Sequence, residues 1–397
     1  MATTTASMST SMPPDKRKDA TEFTKRVNAE LISRLPTADT SDNEDATRGF
    51  IAPLPNDGLI LQATGQEGEE GQNQQEGNMV WNASAYCVLF DFCGRWFDEA
   101  GIVKQEIHSL YSSFIRDGQP APTTVNPSLW RHCQLVLKGG LFRVVDRLFQ
   151  VRNADLSNMT IIEGDSGLII IDPLVSKETA AAALHLYFDH RPRRPVKAVI
   201  YIMEDGSEVA ILAPEGFMRE AVLENVLAGN AMTRRASYMY GQLLAVDAKG
   251  AVGTGLGMSV SRGGVTLIPP TDYIRQTGER RRIDGLDFEF LMAPDSEAPA
   301  EMHWYVEQLK AVTAAENCSR CQHNVYTPRG AKVRDALAWS KYLNQTIQMW
   351  GDKAEVLYGV HLWPTWGREQ LVRLLKQQRD GYRFINDQTL SRGLLET

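Results

Sequence analysis

The sequence predicts a layered α/β domain, and three observations carry that prediction. Short apolar runs of strand length, such as VKAVI at 196–200, stand beside segments of helical periodicity, such as KETAAAALHLYFDH at 177–190. Hairpins come first along the chain, and strands then alternate with helices. The composition, 43% hydrophobic and 23% charged over 397 residues, is that of a globular chain long enough for two domains.

Residues 1–48 are polar and poor in aromatics, so little order is expected there. Their start, MATTTASMSTSMPPDKRKDATEF, is rich in Ser and Thr and lacks the apolar core of a secretory signal; a solvated tail fits better than a transit peptide. RGFIAPLPNDG opens the folded region, and GQEGEEGQNQQEGN at 65–78 reads as an acidic low-complexity loop. The block CVLFDFCGRWFDEAGIVKQEIHSLYSS, near 87–113, is dense in aromatics without clear periodicity and reads as an insertion.

FRVVDRLFQVR alternates around a turn, and MTIIEGDSGLIIIDPL gives two strands joined by Gly-Asp-Ser-Gly. A helix follows at 177–190, then the strand VKAVI. VAILAPEGFMREAVLENVLAG gives a further strand and helix, and GTGLG leads into VTLIPP and IDGLDFEFLMAP. EMHWYVEQLKAVTAAEN reads as a helix, and RDALAWSKYLNQTIQMWGDKAEVLYG opens a helical tail.

The net charge of −7 gives no support for a nucleic-acid or anionic-membrane partner. No apolar stretch approaches the roughly 20 residues that span a bilayer. Five cysteines, Cys87, Cys93, Cys133, Cys318 and Cys321, suit reduced thiols and a cytoplasmic location. CSRC has CxxC spacing but no second such pair and no preceding strand, so neither zinc nor redox work is assigned to it. GTGLG lacks a following helix start and an acidic partner about 20 residues on, which argues against dinucleotide binding. His185 and His190 of HLYFDH are five apart on a helix and point away from each other, so they read as surface histidines.

SNMTIIEGDSGLIIIDPL, KAVIY, SEAPAEM, AEN, HNVYTPRGAKVRD and HLWPTWG, in that order, resemble the zinc-dependent alkyl sulfatases of the metallo-β-lactamase fold, the linear primary-alkylsulfatase type. The resemblance implies an αββα sandwich over 49–330 and an all-α dimerisation region over 331–397, truncated before the family's usual sterol-carrier-like domain. It implies two zinc ions, an alkyl sulfate substrate and a homodimer. Matched residue by residue, Glu297 of SEAPAEM binds one zinc, Glu316 of AEN bridges the pair and His361 of HLWPTWG binds the other. Asn324, Tyr326, Thr327, Arg329 and Arg334 match the positions that receive the sulfate group. Carboxylates and imidazole suit zinc, and guanidinium forks suit a tetrahedral oxyanion. On the residues alone, Glu297 reads equally as a helix-dipole partner, Glu316 as a solvated side chain and His361 as a packed core histidine.

One departure bears on activity. In the family the strand matching KAVIY runs into a THSHxDHxGG segment that supplies three histidines and an aspartate. Here IY is followed by IMEDGSEVAILAPEGF, and the HxHxDH loop is missing. Glu204 and Asp205 stand near the vacated place and read as a solvated turn. Hydrolysis is therefore expected to be lost or strongly impaired, and a non-catalytic role in binding a sulfate ester or other anion, or as a dimer partner, is the alternative. An insertion beside a loss is also the pattern that a misassigned splice boundary leaves.

Overall fold

The computed structural model describes residues 19–34, 40–54, 60–63, 102–105, 107–200, 209–261, 264–265 and 267–395. Most of the block 87–113, and the stretch containing Glu204 and Asp205, lie outside the described residues.

Two sheets face each other across an apolar layer. The first has eight strands and the second six, and β2 (Ile60–Ala63) and β3 (Ile102–Gln105) pair with each other as a separate two-stranded ribbon. In the first, β1 (Phe50–Ala52), β4 (Gly140–Val145), β5 (Leu148–Arg152), β6 (Met159–Glu163) and β7 (Leu168–Ile171) pair antiparallel as hairpins. From β7 onward β8 (Val196–Ile200), β9 (Ala210–Pro214) and β10 (Asp272–Ile274) pair parallel. The helix Lys177–His190 makes the crossover from β7 to β8, with Ser176 accepting the Thr179 amide at its N-terminus. It packs Ala183, Leu184 and Tyr187 against the outer face of the sheet.

The second sheet pairs β11 (Arg280–Ile283) and β12 (Leu286–Met292) through a tight Asp284-Gly285 turn, both residues at positive φ. The Asp284 carboxylate also accepts the Ser166 and Gly167 amides of the GDSG turn, which ties the two hairpin ends together. β13 (Met302–Val306), β14 (Ala311–Thr313), β15 (Val356–Tyr358) and β16 (Thr365–Trp366) complete it. Between the sheets lie Leu148, Ile162, Ile169 and Ile171 from one side and Phe288, Phe290, Trp304 and Tyr358 from the other. The helices Ala336–Trp350 and Arg368–Leu395 cover the far face of the second sheet, with Trp339, Leu343, Leu371 and Tyr382 in their shared core. The layers are thus the expected αββα.

Three expectations are corrected. EMHWYVEQLKAVTAAEN is not a helix: it forms β13, a short 3₁₀ turn over Glu307–Leu309, and β14. Its Glu, Leu, Lys and Ala favour a helix, but Met302, Trp304 and Val306 alternate into the inter-sheet layer while Tyr305 packs on the helical side, so burial on both faces overrides local propensity. Residues 1–48 include two helices, Glu22–Arg34 and Thr40–Thr47, held by tertiary contacts that composition does not reveal. Asn28 donates to the carbonyls of Thr123 and Val125, and Arg320 pairs with Asp42 and Asp45. The sandwich also runs past residue 330, because β14 and β15 pair parallel and β16 closes the sheet at 366, so the stretch from 331 is not all helical.

Candidate metal centre

The parallel pairing of β14 and β15 brings Glu316 and His361 together. Thr313 lies opposite Tyr358 at the strand ends, and each candidate stands three residues further along its own chain segment. A separation of 45 residues in sequence thereby becomes a contact: His361 Nε2 is 2.9 Å from Glu316 Oε1. β12 runs in the same direction and delivers Glu297 on the loop that returns to β13. The site therefore sits at the carboxyl ends of strands, where an α/β sheet leaves room for ligands.

A fourth donor joins them. His323, beside Asn324, places Nε2 3.4 Å from Glu316 Oε2 and 3.7 Å from Glu297 Oε1. The facing ligand atoms of Glu297, Glu316 and His323 all lie within 4.8 Å of one another. For bonds of about 2.0–2.1 Å, the edges of a tetrahedral zinc site measure roughly 3.4 Å, so these separations suit one ion. The sequence reading missed His323; its signal was the imidazole immediately before the matched Asn324. Asp172 was also missed. It ends the β7 strand at positive φ, and burial pushes its carboxyl up to about 6, with His361 and Glu316 close enough to act on it.

Supports from the surrounding structure fix these groups. The His361 Nδ1–H donates to the carbonyl of Leu156 at 2.9 Å, which leaves Nε2 directed at Glu316. Asn317 Oδ1 accepts the Glu297 amide at 3.1 Å, and its Nδ2 lies 2.6 Å from His303 Nε2. His303 Nδ1 in turn is 2.7 Å from Thr346 Oγ1, and burial pulls this imidazole down to about 3, so it stays neutral.

Of the two arginines expected to receive an anion, Arg334 is the more enclosed, its side chain 5% exposed. Its Nη2 donates to the Glu297 carboxylate, its Nε to the Glu297 carbonyl, and its Nη1 to the Asn324 carbonyl and side-chain oxygen. Arg329 instead donates to Glu224. Thr327 is buried with its hydroxyl 3.0 Å from the Met239 sulfur, and Tyr326 is 58% exposed. The structure thus brings Asn324 and Arg334 to the carboxylates, sets Arg329 and Thr327 against the helical segment 217–239, and turns Tyr326 outward.

Electrostatics separate the two glutamates. Burial and the neighbouring Glu316 charge hold Glu297 well above the ordinary carboxylate range. Burial pushes Glu316 the same way, but His361 and His323 outweigh it and hold Glu316 well below that range. Burial opposes protonation of His361, yet Glu316 raises it overall. The stabilisation from this pair is complete between about pH 4.5 and 6.5. It is lost as pH falls through the folded-state pKa of Glu316 or rises through that of His361. Denaturant unfolding across pH 6 to 9 should therefore show the wild type losing more stability with rising pH than His361→Asn.

The donor set fits a single metal ion. Glu297, Glu316 and His323 offer three clustered ligand atoms once Arg334 no longer engages the carboxylate and Nδ1 of that group, and His361 holds Glu316 by its other oxygen.

No family model matches the chain. It is 48% identical over 390 residues to a linear primary-alkylsulfatase from a Pseudomonas species, covering 94% of this chain and 52% of that protein. It is 41% identical to the alkyl/aryl-sulfatase BDS1 of Saccharomyces cerevisiae, over 94% of this chain and 54% of the relative. Among solved structures it superposes on the stereoselective inverting sec-alkylsulfatase Pisa1 from a Pseudomonas species with a TM-score of 0.80 at 38% identity, covering 96% of this chain and 57% of that one. The chain spans about half the length of the curated relatives it matches. By sequence and by fold it is a homologue of the alkylsulfatases and belongs with them, built as an αββα sandwich.

Proposed function

We propose that this chain carries the oxyanion-binding half of an alkyl-sulfatase centre, holds at most one zinc ion, and binds alkyl sulfate esters with hydrolysis lost or strongly impaired. The observation that carries the reading is the cluster of Glu297, Glu316 and His323 beside Arg334 at the strand ends, with His361 on the other oxygen of Glu316. When bound, the metal supplies a Lewis acid and a water of lowered pKa. Glu316, His361 and His323 would hold it with Glu297, and Arg334 and Arg329 would orient the sulfate oxygens through paired N–H donors.

The reading of impaired hydrolysis is supported by the connection between β8 and β9. These strands are parallel neighbours, with Ile200 opposite Leu212, yet residues 201–209, nine in all, join them. Parallel crossovers ordinarily take a dozen residues or more and usually a helix. A ligand-bearing loop at the carboxyl end of β8 is what such a short connection leaves no length for. The family's two-zinc centre, in which that loop provides most ligands, would be incomplete. Free Cys133, Cys318 and Cys321 suit a reducing compartment, and no helix among the described residues is long and apolar enough to cross a membrane. The homodimer that the resemblance implies is proposed along with this reading.

Binding without turnover is measurable directly. Isothermal titration should show dodecyl sulfate, below its micelle concentration, binding the wild type and weakened at least about ten-fold by Arg329→Gln, a loss expected for a charge-assisted pair. Equal affinity in both would refute the assignment of Arg329.

A further inference from the structure

We infer that Glu224 is a specificity-determining residue of this site: its carboxylate, held on Arg329, biases the site toward singly charged sulfate esters and against doubly charged oxyanions. The inference deepens the proposed function and rests on its reading of Arg329 as an anion receiver.

The geometry starts with the helical segment that flanks the anion loop. The helix Phe217–Val222 runs into a π-helical turn over Leu223–Leu227, in which the Ala228 amide reaches back five residues to the Leu223 carbonyl at 3.1 Å. Such turns are uncommon and gather at functional sites. Glu220 and Glu224 are four residues apart and share a face. That face meets the loop 324–332 twice: Lys332 Nζ lies 2.7 Å from Glu220 Oε2, and Arg329 Nη1 donates to Glu224 Oε1. Met239, at the end of the next helix, touches the Thr327 hydroxyl.

The two contacts differ in setting. The Lys332 side chain is 55% exposed, so its pair with Glu220 is screened by solvent. The Arg329 and Glu224 side chains are 24% and 27% exposed, which keeps their mutual field stronger. Glu224 engages Nη1, and among the described residues no other acceptor lies on this guanidinium. Its remaining N–H donors are therefore available to an incoming oxyanion while Glu224 stays in place.

An oxyanion bound there would share one guanidinium with a fixed carboxylate. Arg329 with Glu224 is already neutral as a pair. A sulfate monoester brings one negative charge. A phosphate monoester brings close to two, as does inorganic sulfate. The second charge meets the repulsion of Glu224 in addition. Selectivity built from a repulsive element is a difference of affinities, and Glu224 supplies that element.

The experiment compares octyl sulfate with octyl phosphate by isothermal titration at pH 8, on the full chain and on Glu224→Gln, Arg329→Gln and Lys332→Met, with circular dichroism confirming the fold of each. Glu224→Gln should tighten octyl phosphate at least about ten-fold more than octyl sulfate, a lower bound for removing one nearby, partly solvated unit charge. Lys332→Met, which loosens only the outer strap, should move both ligands by the same factor. Arg329→Gln should weaken both. An equal change in both ligands on Glu224→Gln would overturn the inference and leave Glu224 a structural tie, with the anion site standing. Unchanged binding in Arg329→Gln, or no binding of either probe to any variant, would overturn the proposed function and this inference together.

Discussion

Trp339→Ala is expected to destabilise the protein by about 3–5 kcal/mol, the range for removing a fully enclosed tryptophan. Trp339 is 0% exposed and stacks on Tyr382 with ring centroids 4.1 Å apart. Its indole N–H donates to the Asn317 carbonyl at 2.8 Å, and the Tyr382 hydroxyl accepts the His323 amide at 3.1 Å. One side chain thus supports the backbone on both sides of the centre, beside Glu316 and at His323. Denaturant unfolding reads the loss. Trp339→Phe should retain much of the packing and lose the hydrogen bond, so a Phe variant as unstable as Ala would contradict this division.

Arg334→Met should cost about 3–5 kcal/mol as well, for a different reason. The Arg334 and Glu297 side chains are 5% and 10% exposed, and removing the guanidinium leaves a carboxylate enclosed beside Glu316. Breaking one partner of a buried pair costs more than the pair contributes, because the enclosed carboxyl loses its donors and must take up a proton. Adding Glu297→Gln to Arg334→Met should therefore recover part of the stability. A double variant less stable than the single one would show that Arg334 acts through packing instead.

Much of the sandwich was legible because its signals are local. The GDSG turn, the helix Lys177–His190 and the strand Val196–Ile200 each announce themselves within a few residues. β13 was not legible, because HWYVEQLK mixes a fully covered strand with helix-favouring residues, and only the second sheet and the helix Ala336–Trp350 decide between them. The N-terminal helices were hidden for a related reason: their order rests on Asn28 and on Arg320, the latter 275 residues from Asp45.

Within the centre, Glu297, Glu316 and His361 were found through long matched motifs, not through spacing. Periodicity alone gives no sign that residues 316 and 361 meet, since that depends on the parallel register of β14 and β15. His323 escaped because its neighbourhood, CSRCQHN, departs from the family's sequence although its imidazole lies 3.4 Å from Glu316. The Glu224–Arg329 contact joins residues 105 apart on different elements and has no local signature.

The most direct test of the account is the zinc content of the purified chain by elemental analysis, with dodecyl sulfate hydrolysis assayed with and without added zinc. The site described here, four donors beside a nine-residue β8–β9 connection, predicts at most one zinc per chain and no appreciable turnover. About two zincs per chain together with turnover would contradict it, and would mean that other residues rebuild the missing half of the centre.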